Sequence, residues 1–251
     1  MKAEIIAITN RKGGVGKTST AHALGAGLSL KGKKTLLIDL DSQCNLSQAA
    51  GADTAAGAGH ILRGEAKAAE TVQELSENLF IIPGGADLAR ADKELTDTGA
   101  EYTLKEALSE LIPEYDYIII DCPPSLGVLT INALTAADRL IIPAQADFFS
   151  LQALTDLEKS LQLVRKYTNK NLKTDGILLT RYNARTILSK DVESAMQDIA
   201  REMHTKLYNA RIREGINVRE AQALHKDIFS YAPKAKVTSD YQAFIDEVAD
   251  H

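Results

Sequence analysis

Three short stretches of this chain gather residue types suited to holding a phosphate chain and a divalent metal. The first is Asn10-Arg11-Lys12-Gly13-Gly14-Val15-Gly16-Lys17-Thr18-Ser19. Glycines let a backbone curl so that successive N–H groups, here those of Gly13, Gly14, Val15 and Gly16, converge on phosphate oxygens. A helix beginning near Lys17 adds its positive end to the same place. In this pattern Lys17 reaches the β- and γ-phosphates, the Thr18 hydroxyl ligates magnesium, and Ser19 is placed to touch the α-phosphate. The loop departs from the common G-x-x-x-x-G-K-[ST] at its first position, where Arg11 stands in place of glycine and Lys12 precedes the glycine pair. The alternative is a glycine-rich turn that binds nothing, and the order strand, loop, helix argues against it.

The second stretch, Leu36-Leu37-Ile38-Asp39-Leu40-Asp41, sets two carboxylates at i and i+2, on one side of an extended strand. At the C-terminal end of a parallel strand they would face the ligand crevice. Each could instead cap the helix that follows, and for Asp39 that reading stands level with the functional one. The third, Tyr117-Ile118-Ile119-Ile120-Asp121 followed by Cys122-Pro123-Pro124-Ser125, is an apolar strand ending in an acid that would hold magnesium. The two prolines stiffen the turn beyond it.

These residues need a scaffold. Candidate strands are Ile5–Thr9, Thr35–Asp39, Leu79–Pro83, Tyr117–Asp121, Arg139–Pro143 and Gly176–Arg181, several apolar almost throughout, as parallel strands covered on both faces are. Between them lie helical patterns at Lys17–Lys31, Leu104–Leu111, Leu151–Tyr167 and Ser189–Leu207, while Ala49–Gly64 reads as a mobile loop with a short helix. Strand and helix alternate over the whole length, which predicts one doubly wound, mostly parallel α/β domain over residues 1–251. With 251 residues, 45% of them hydrophobic and 25% charged, the chain can bury a large core without disulfides or metals. The two cysteines, Cys44 and Cys122, are not in metal-ligand spacing, which fits a reducing cytoplasm. No apolar run approaches the ~20 residues of a bilayer span, and the N-terminus does not read as a signal peptide.

The loop K-G-G-V-G-K-T at Lys12–Thr18 resembles that of the deviant Walker-A ATPases, the family of ParA, Soj and MinD. The resemblance continues through Asp39-Leu40-Asp41-Ser42-Gln43, through Asp121-Cys122-Pro123-Pro124-Ser125-Leu126-Gly127, and through Leu134–Asp138 with Ile141–Gln145. It implies a magnesium-dependent ATPase in which ATP joins two subunits face to face. Lys12 would then contact the nucleotide of the partner subunit, Asp41 would position the attacking water, and Asp39 would support the magnesium shell beside Thr18 and Asp121. From Glu220-Ala221 to Tyr241 the spacing is similar to the Soj type, with departures at Gln222, His225 and Asp227. This segment lies near the base pocket of relatives. Thr180, Arg181 and Asn183 fall in the region that reads the base, and Asn183 is kept as a nucleotide-binding candidate beside the reading of a polar surface loop.

The net charge of −5 is unevenly spread: Arg165–Lys236 holds 15 Lys and Arg against 8 Asp and Glu. By itself that favours solvated helix faces over a nucleic-acid footprint. The resemblance reverses the preference, because ParA/Soj-type dimers bind double-stranded DNA without sequence preference through basic residues of the C-terminal half. Arg185, Lys190, Arg211, Arg213 and Arg219 are the candidates. The resemblance further implies DNA segregation, of a plasmid, mobile element or chromosome, a stimulating partner of the ParB type, and a cytoplasmic protein that joins the nucleoid when ATP-bound. A MinD-like protein acting on membrane or protein cargo is the rival. It calls for a basic amphipathic C-terminal helix, whereas this chain ends in the acidic Phe244-Ile245-Asp246-Glu247-Val248-Ala249-Asp250-His251.

Overall fold

The computed structural model describes residues 2–183 and 187–249, without the side chains of 187–190. In chain order the main elements are β1 (Glu4–Ile8), α1 (Lys17–Leu30), β2 (Thr35–Asp39), α2 (Asn45–Ala50), α3 (Ala58–Leu62), β3 (Gln73–Ser76), β4 (Leu79–Ile82), α4 (Leu88–Glu94), α5 (Thr103–Ala107), β5 (Tyr117–Asp121) and α6 (Val128–Ala136). There follow β6 (Arg139–Gln145), α7 (Phe148–Tyr167), β7 (Lys173–Tyr182), α8 (Ile187–Glu202), β8 (Lys206–Arg213), α9 (Ile216–Ala223), α10 (Ile228–Tyr231) and α11 (Lys236–Ala249). The strands form one sheet in the order β3-β4-β2-β5-β1-β6-β7-β8. Only β3 runs antiparallel, pairing β4 at the edge. The α/β reading is therefore correct: a mostly parallel sheet carries helices on both faces.

Alternation along the strands divides the core. Ile5 and Ala7 join Leu36, Ile38, Ile118 and Ile120 under one helical layer that includes α6 and α7. Ile6 and Ile8 join Leu37, Ile119, Ile141 and Leu178 under the other, which holds α1 and α11. Residues i and i+2 share a face, so each apolar strand feeds both layers. Helix α1 is squeezed between sheet and α11: a Cβ on Gly27 would come within 2.2 Å of the Ile245 side chain.

Strands β3 and β8 were not expected from the sequence, and the end of α8 is displaced from its expected place. The helical pattern at Ser189–Leu207 runs too far, since α8 stops at Glu202 and Lys206-Leu207 open β8. The stop is made at His204, in the left-handed region at φ 53°, with the Thr205 amide bonding back to the Ala200 carbonyl at 2.8 Å. The short helix expected within Ala49–Gly64 is α3, and the segment also holds the end of α2.

Candidate functional site: a phosphate cradle at the switch point of the sheet

Strand β1 lies mid-sheet, with β5 and β2 on one side and β6 and β7 on the other, so the loop leaving its C-terminal end sits where the strand order reverses. Ile8 is in register with Asp121, and Asp121 with Asp39. Parallel pairing thus brings the three stretches named from sequence to one rim.

The loop is curled at Gly14 (φ 73°) and Gly16 (φ 85°), a conformation a side chain would strain, and Gly16 caps α1. Among the described residues, the amides of Gly13 through Ser19 donate to no protein acceptor. Together with the start of α1 they form a ready anion site. Lys17 is buried, and burial pushes its ammonium pKa down, with Asp121 and Asp41 pulling the other way. The loop is tied to β6 by Asn10, whose side chain donates to the Pro143 carbonyl at 2.8 Å and accepts the Lys12 amide at 3.0 Å.

The three carboxylates have different surroundings. Asp121 is fully buried, and neither of its oxygens has a hydrogen-bond partner. Burial, and then the neighbouring Asp39, pushes its pKa well above the carboxylate range, with the Thr18 hydroxyl and Lys17 opposing. Asp39 is also buried but engaged: one oxygen takes the Ser47 hydroxyl at 2.7 Å and the Ser47 amide at 2.9 Å, the other the Asp41 amide at 3.1 Å. Its geometry is that of a residue shaping the turn after β2. Asp41 lines the cavity over the loop, and its carboxylate also accepts the Gln43 amide at 3.0 Å.

Among the described residues there is no cluster of three His, Cys, Asp or Glu that would hold a metal by itself. Nucleotide-bound magnesium needs none, because it keeps waters and phosphate oxygens and takes one or two protein ligands. An orphaned buried carboxylate at Asp121 beside the Thr18 hydroxyl fits that requirement. Cys122, fully buried, and Cys44, pushed up to about 11 by burial and then by nearby carboxylates, stay as thiols.

The cavity above the loop has a volume of about 680 Å3, and its far wall is made by Arg181, Gln222, Ala223 and His225. Gln222 donates to the Ser19 hydroxyl at 3.1 Å. His225 occupies the left-handed region at φ 54°, and its Nδ1 lies 2.6 Å from the Gln48 carbonyl. Asp227 caps α10 through the Phe229 and Ser230 amides. Arg181, at φ 47°, turns into the cavity, whereas Asn183 is exposed and does not line it. Lys12 is turned away from the cavity: its Nζ pairs with Asp147 and lies 3.3 Å from Gln145 Oε1.

The candidate DNA contacts separate clearly. Arg211 is half-buried and paired with Glu193, and Arg213 holds Asp240 through two bonds of 2.6 and 2.7 Å. Arg219 is exposed on α9 with no ion pair among the described residues. Arg185 and the side chain of Lys190 lie outside the described residues. Sequence reasoning gave Gln145 and Asp147 no role at the loop, and it placed Asn10 in the loop and Thr180 near the base without the bonds by which they brace it.

An AAA-domain family model matches residues 3–174. The sporulation initiation inhibitor protein Soj of Bacillus subtilis is 41% identical over 251 residues, covering 98% of each chain. The chain belongs to the ParA/Soj family. The chromosome partitioning protein ParA of Caulobacter vibrioides, another member, is 38% identical, covering 97% of this chain and 93% of its own. Among solved structures, cobyrinic acid a,c-diamide synthase of Mycobacterium smegmatis, with ATP analog and magnesium bound, has a TM-score of 0.86 at 33% identity, covering 99% of this chain and 95% of that one. The ParA/Soj likeness thus runs past β7 into the helices that wall the cavity.

Proposed function

We propose that residues 1–251 form one P-loop domain that hydrolyses ATP with magnesium and uses the cycle to partition DNA. As a ParA/Soj member the chain is an ATPase. The observation that carries the chemistry is the orphaned Asp121 carboxylate facing Thr18 and Lys17 under a cradle of unpaired amides. Magnesium, when bound, neutralises charge on the β- and γ-phosphates. Lys17 reaches the same oxygens from the first turn of α1. Asp41 orients a water for in-line attack on the γ-phosphorus, whose bond to the bridging oxygen of ADP breaks as the new P–O bond forms. Asp39 acts through the turn it braces, by its bonds to Ser47.

The outward set of Lys12 supports the dimeric reading: its ammonium does not serve the cavity of its own subunit and would reach a partner's nucleotide on leaving Asp147. DNA binding by the ATP dimer and release on hydrolysis follow the ParA/Soj pattern, with Arg219, exposed and without an ion pair among the described residues, as the first candidate contact. A ParB-type partner would stimulate turnover. The test is binding to random-sequence double-stranded DNA with ATP and magnesium, with ADP, and without nucleotide. Binding only with ATP, weakening steeply as salt rises, supports partition. Equal binding in all three states, or none, overturns it, and recruitment to anionic vesicles with ATP would favour the MinD-like alternative. Against membrane cargo in that alternative, α11 carries Asp240, Asp246 and Glu247, which anionic lipid would repel.

A further inference from the structure

Two side chains from neighbouring strands grip successive carbonyls of the phosphate loop from behind. At the end of β7, the buried Thr180 hydroxyl donates to the Val15 carbonyl at 2.7 Å. Its contact to the Ala144 carbonyl is longer, 3.3 Å, so its one proton is committed mainly to the loop. At the end of β6, Gln145 Nε2 donates to the Gly14 carbonyl at 3.1 Å. In a trans peptide the C=O of one residue and the N–H of the next point in opposite directions. Holding the Gly14 and Val15 carbonyls against the sheet therefore turns the Val15 and Gly16 amides away from it, and Gly16 lines the cavity.

Gly16 permits this approach. It sits at φ 85°, and a Cβ built on it would meet Thr180 Cγ2 at 3.7 Å. A loop of this kind has no regular ladder to keep its peptides from flipping, and two flipped peptides would present carbonyl oxygens to a phosphate.

We propose that Thr180 is a positioning residue for nucleotide binding, holding the Val15–Gly16 peptide in the orientation that receives phosphate, with Gln145 doing the same for Gly14–Val15. Thr180 does not line the cavity, so it acts through the loop and not by touching the ligand. Gln145 also faces Lys12, which makes Thr180 the cleaner probe.

The experiment compares Thr180→Val, which keeps the shape and removes the donor, with Thr180→Ser, which keeps the donor. Magnesium-ADP affinity, kcat and KM for ATP, and the melting temperature of the nucleotide-free protein are measured on each. Loss of one buried hydrogen bond predicts about tenfold weaker ADP binding and a matching rise in KM for Thr180→Val. The melting temperature of Thr180→Val should fall by a few degrees, as for any lost buried hydrogen bond, and Thr180→Ser should bind within about twofold of the parent, the spread expected for a retained bond. Parent-like ADP affinity in Thr180→Val overturns the proposal. So does an affinity loss that Thr180→Ser fails to rescue, because packing and not the hydroxyl would then be responsible. Both readouts concern nucleotide alone and hold whether or not the protein binds DNA.

Discussion

Lys12 and Asp147 form an ion pair across 135 residues of chain, joining the phosphate loop to the residue that caps α7. Asp147 makes that cap by accepting the Ser150 amide at 2.9 Å, and its carboxylate is held below the usual range: burial opposes this, but Lys12 and Ser150 outweigh it. A lysine that serves a partner's nucleotide must leave this carboxylate first. Asparagine caps a helix as well as aspartate does, so Asp147→Asn should preserve α7 while freeing Lys12. The pair is partly exposed and worth about 1 kcal/mol; each of the two subunits gives up one, which predicts roughly thirtyfold tighter ATP-dependent dimerisation. Sedimentation over a concentration series with ATP and magnesium reads this directly. Weaker dimerisation in Asp147→Asn would mean that the pair supports the competent loop.

Asp121 is a cost to the nucleotide-free fold, being a fully buried acid whose oxygens lack a hydrogen-bond partner. Asp121→Asn should raise the melting temperature of the nucleotide-free protein by roughly 2–8 °C, from about 1–2 kcal/mol of relief. The same variant should lose the further stabilisation that magnesium-ADP gives the parent. Thermal melts with and without magnesium-ADP check both halves, and an equal nucleotide-dependent shift in variant and parent would remove Asp121 from the metal site.

What the sequence disclosed follows from the reach of each interaction. Thr35–Asp39 and Tyr117–Asp121 were found with their true ends because they are central strands, apolar on both faces and closed by an acid. Edge strands β3 and β8 were missed: Gln73–Ser76 alternates weakly, and Lys206–Arg213 puts Asn209, Arg211 and Arg213 outward between buried Tyr208, Ala210 and Ile212. The phosphate loop was legible because glycine, lysine and threonine act there within a few residues. The groups that brace it were not, since Gln145 and Thr180 meet it from 131 and 165 residues away, through the pairing of β1, β6 and β7. Arg211 and Arg213 looked like free cations in a basic segment, while Glu193 and Asp240, which hold them, are only 18 and 27 residues distant.

At the opposite end of the sheet, Arg139 pairs with Asp175 at 2.8 Å and with Glu4 at 2.9 Å, and Asp175 also accepts the Tyr208 hydroxyl. Burial pushes the Asp175 pKa up, but the bonds from Arg139 and Tyr208 outweigh it and the group lies below its usual value. A depressed folded pKa contributes stability above the unfolded value, about 3.9, and that contribution is lost as pH falls below it. Urea midpoints should therefore drop between about pH 5 and pH 3, and drop less in Asp175→Asn. Parallel pH curves for the two proteins would show that Asp175 does not carry acid sensitivity.

Arg219 and Arg211 should respond oppositely when each is replaced by alanine. Arg211 holds Glu193, which also accepts the Tyr182 hydroxyl at 2.5 Å, so its loss leaves a half-buried carboxylate short of its cation. Arg211→Ala should cost about 2 kcal/mol of stability and change DNA affinity only as far as folding suffers. Arg219 projects from α9 without such a partner among the described residues, so Arg219→Ala should leave the melting temperature unchanged. If Arg219 meets a DNA phosphate, the slope of log affinity against log salt should fall by about 1 per binding site. Titrations at several salt concentrations, with ATP and magnesium, give that slope. An unchanged slope in Arg219→Ala would move the DNA-binding face away from α9, and a lowered slope in a well-folded Arg211→Ala would mean that its ion pair opens on the DNA.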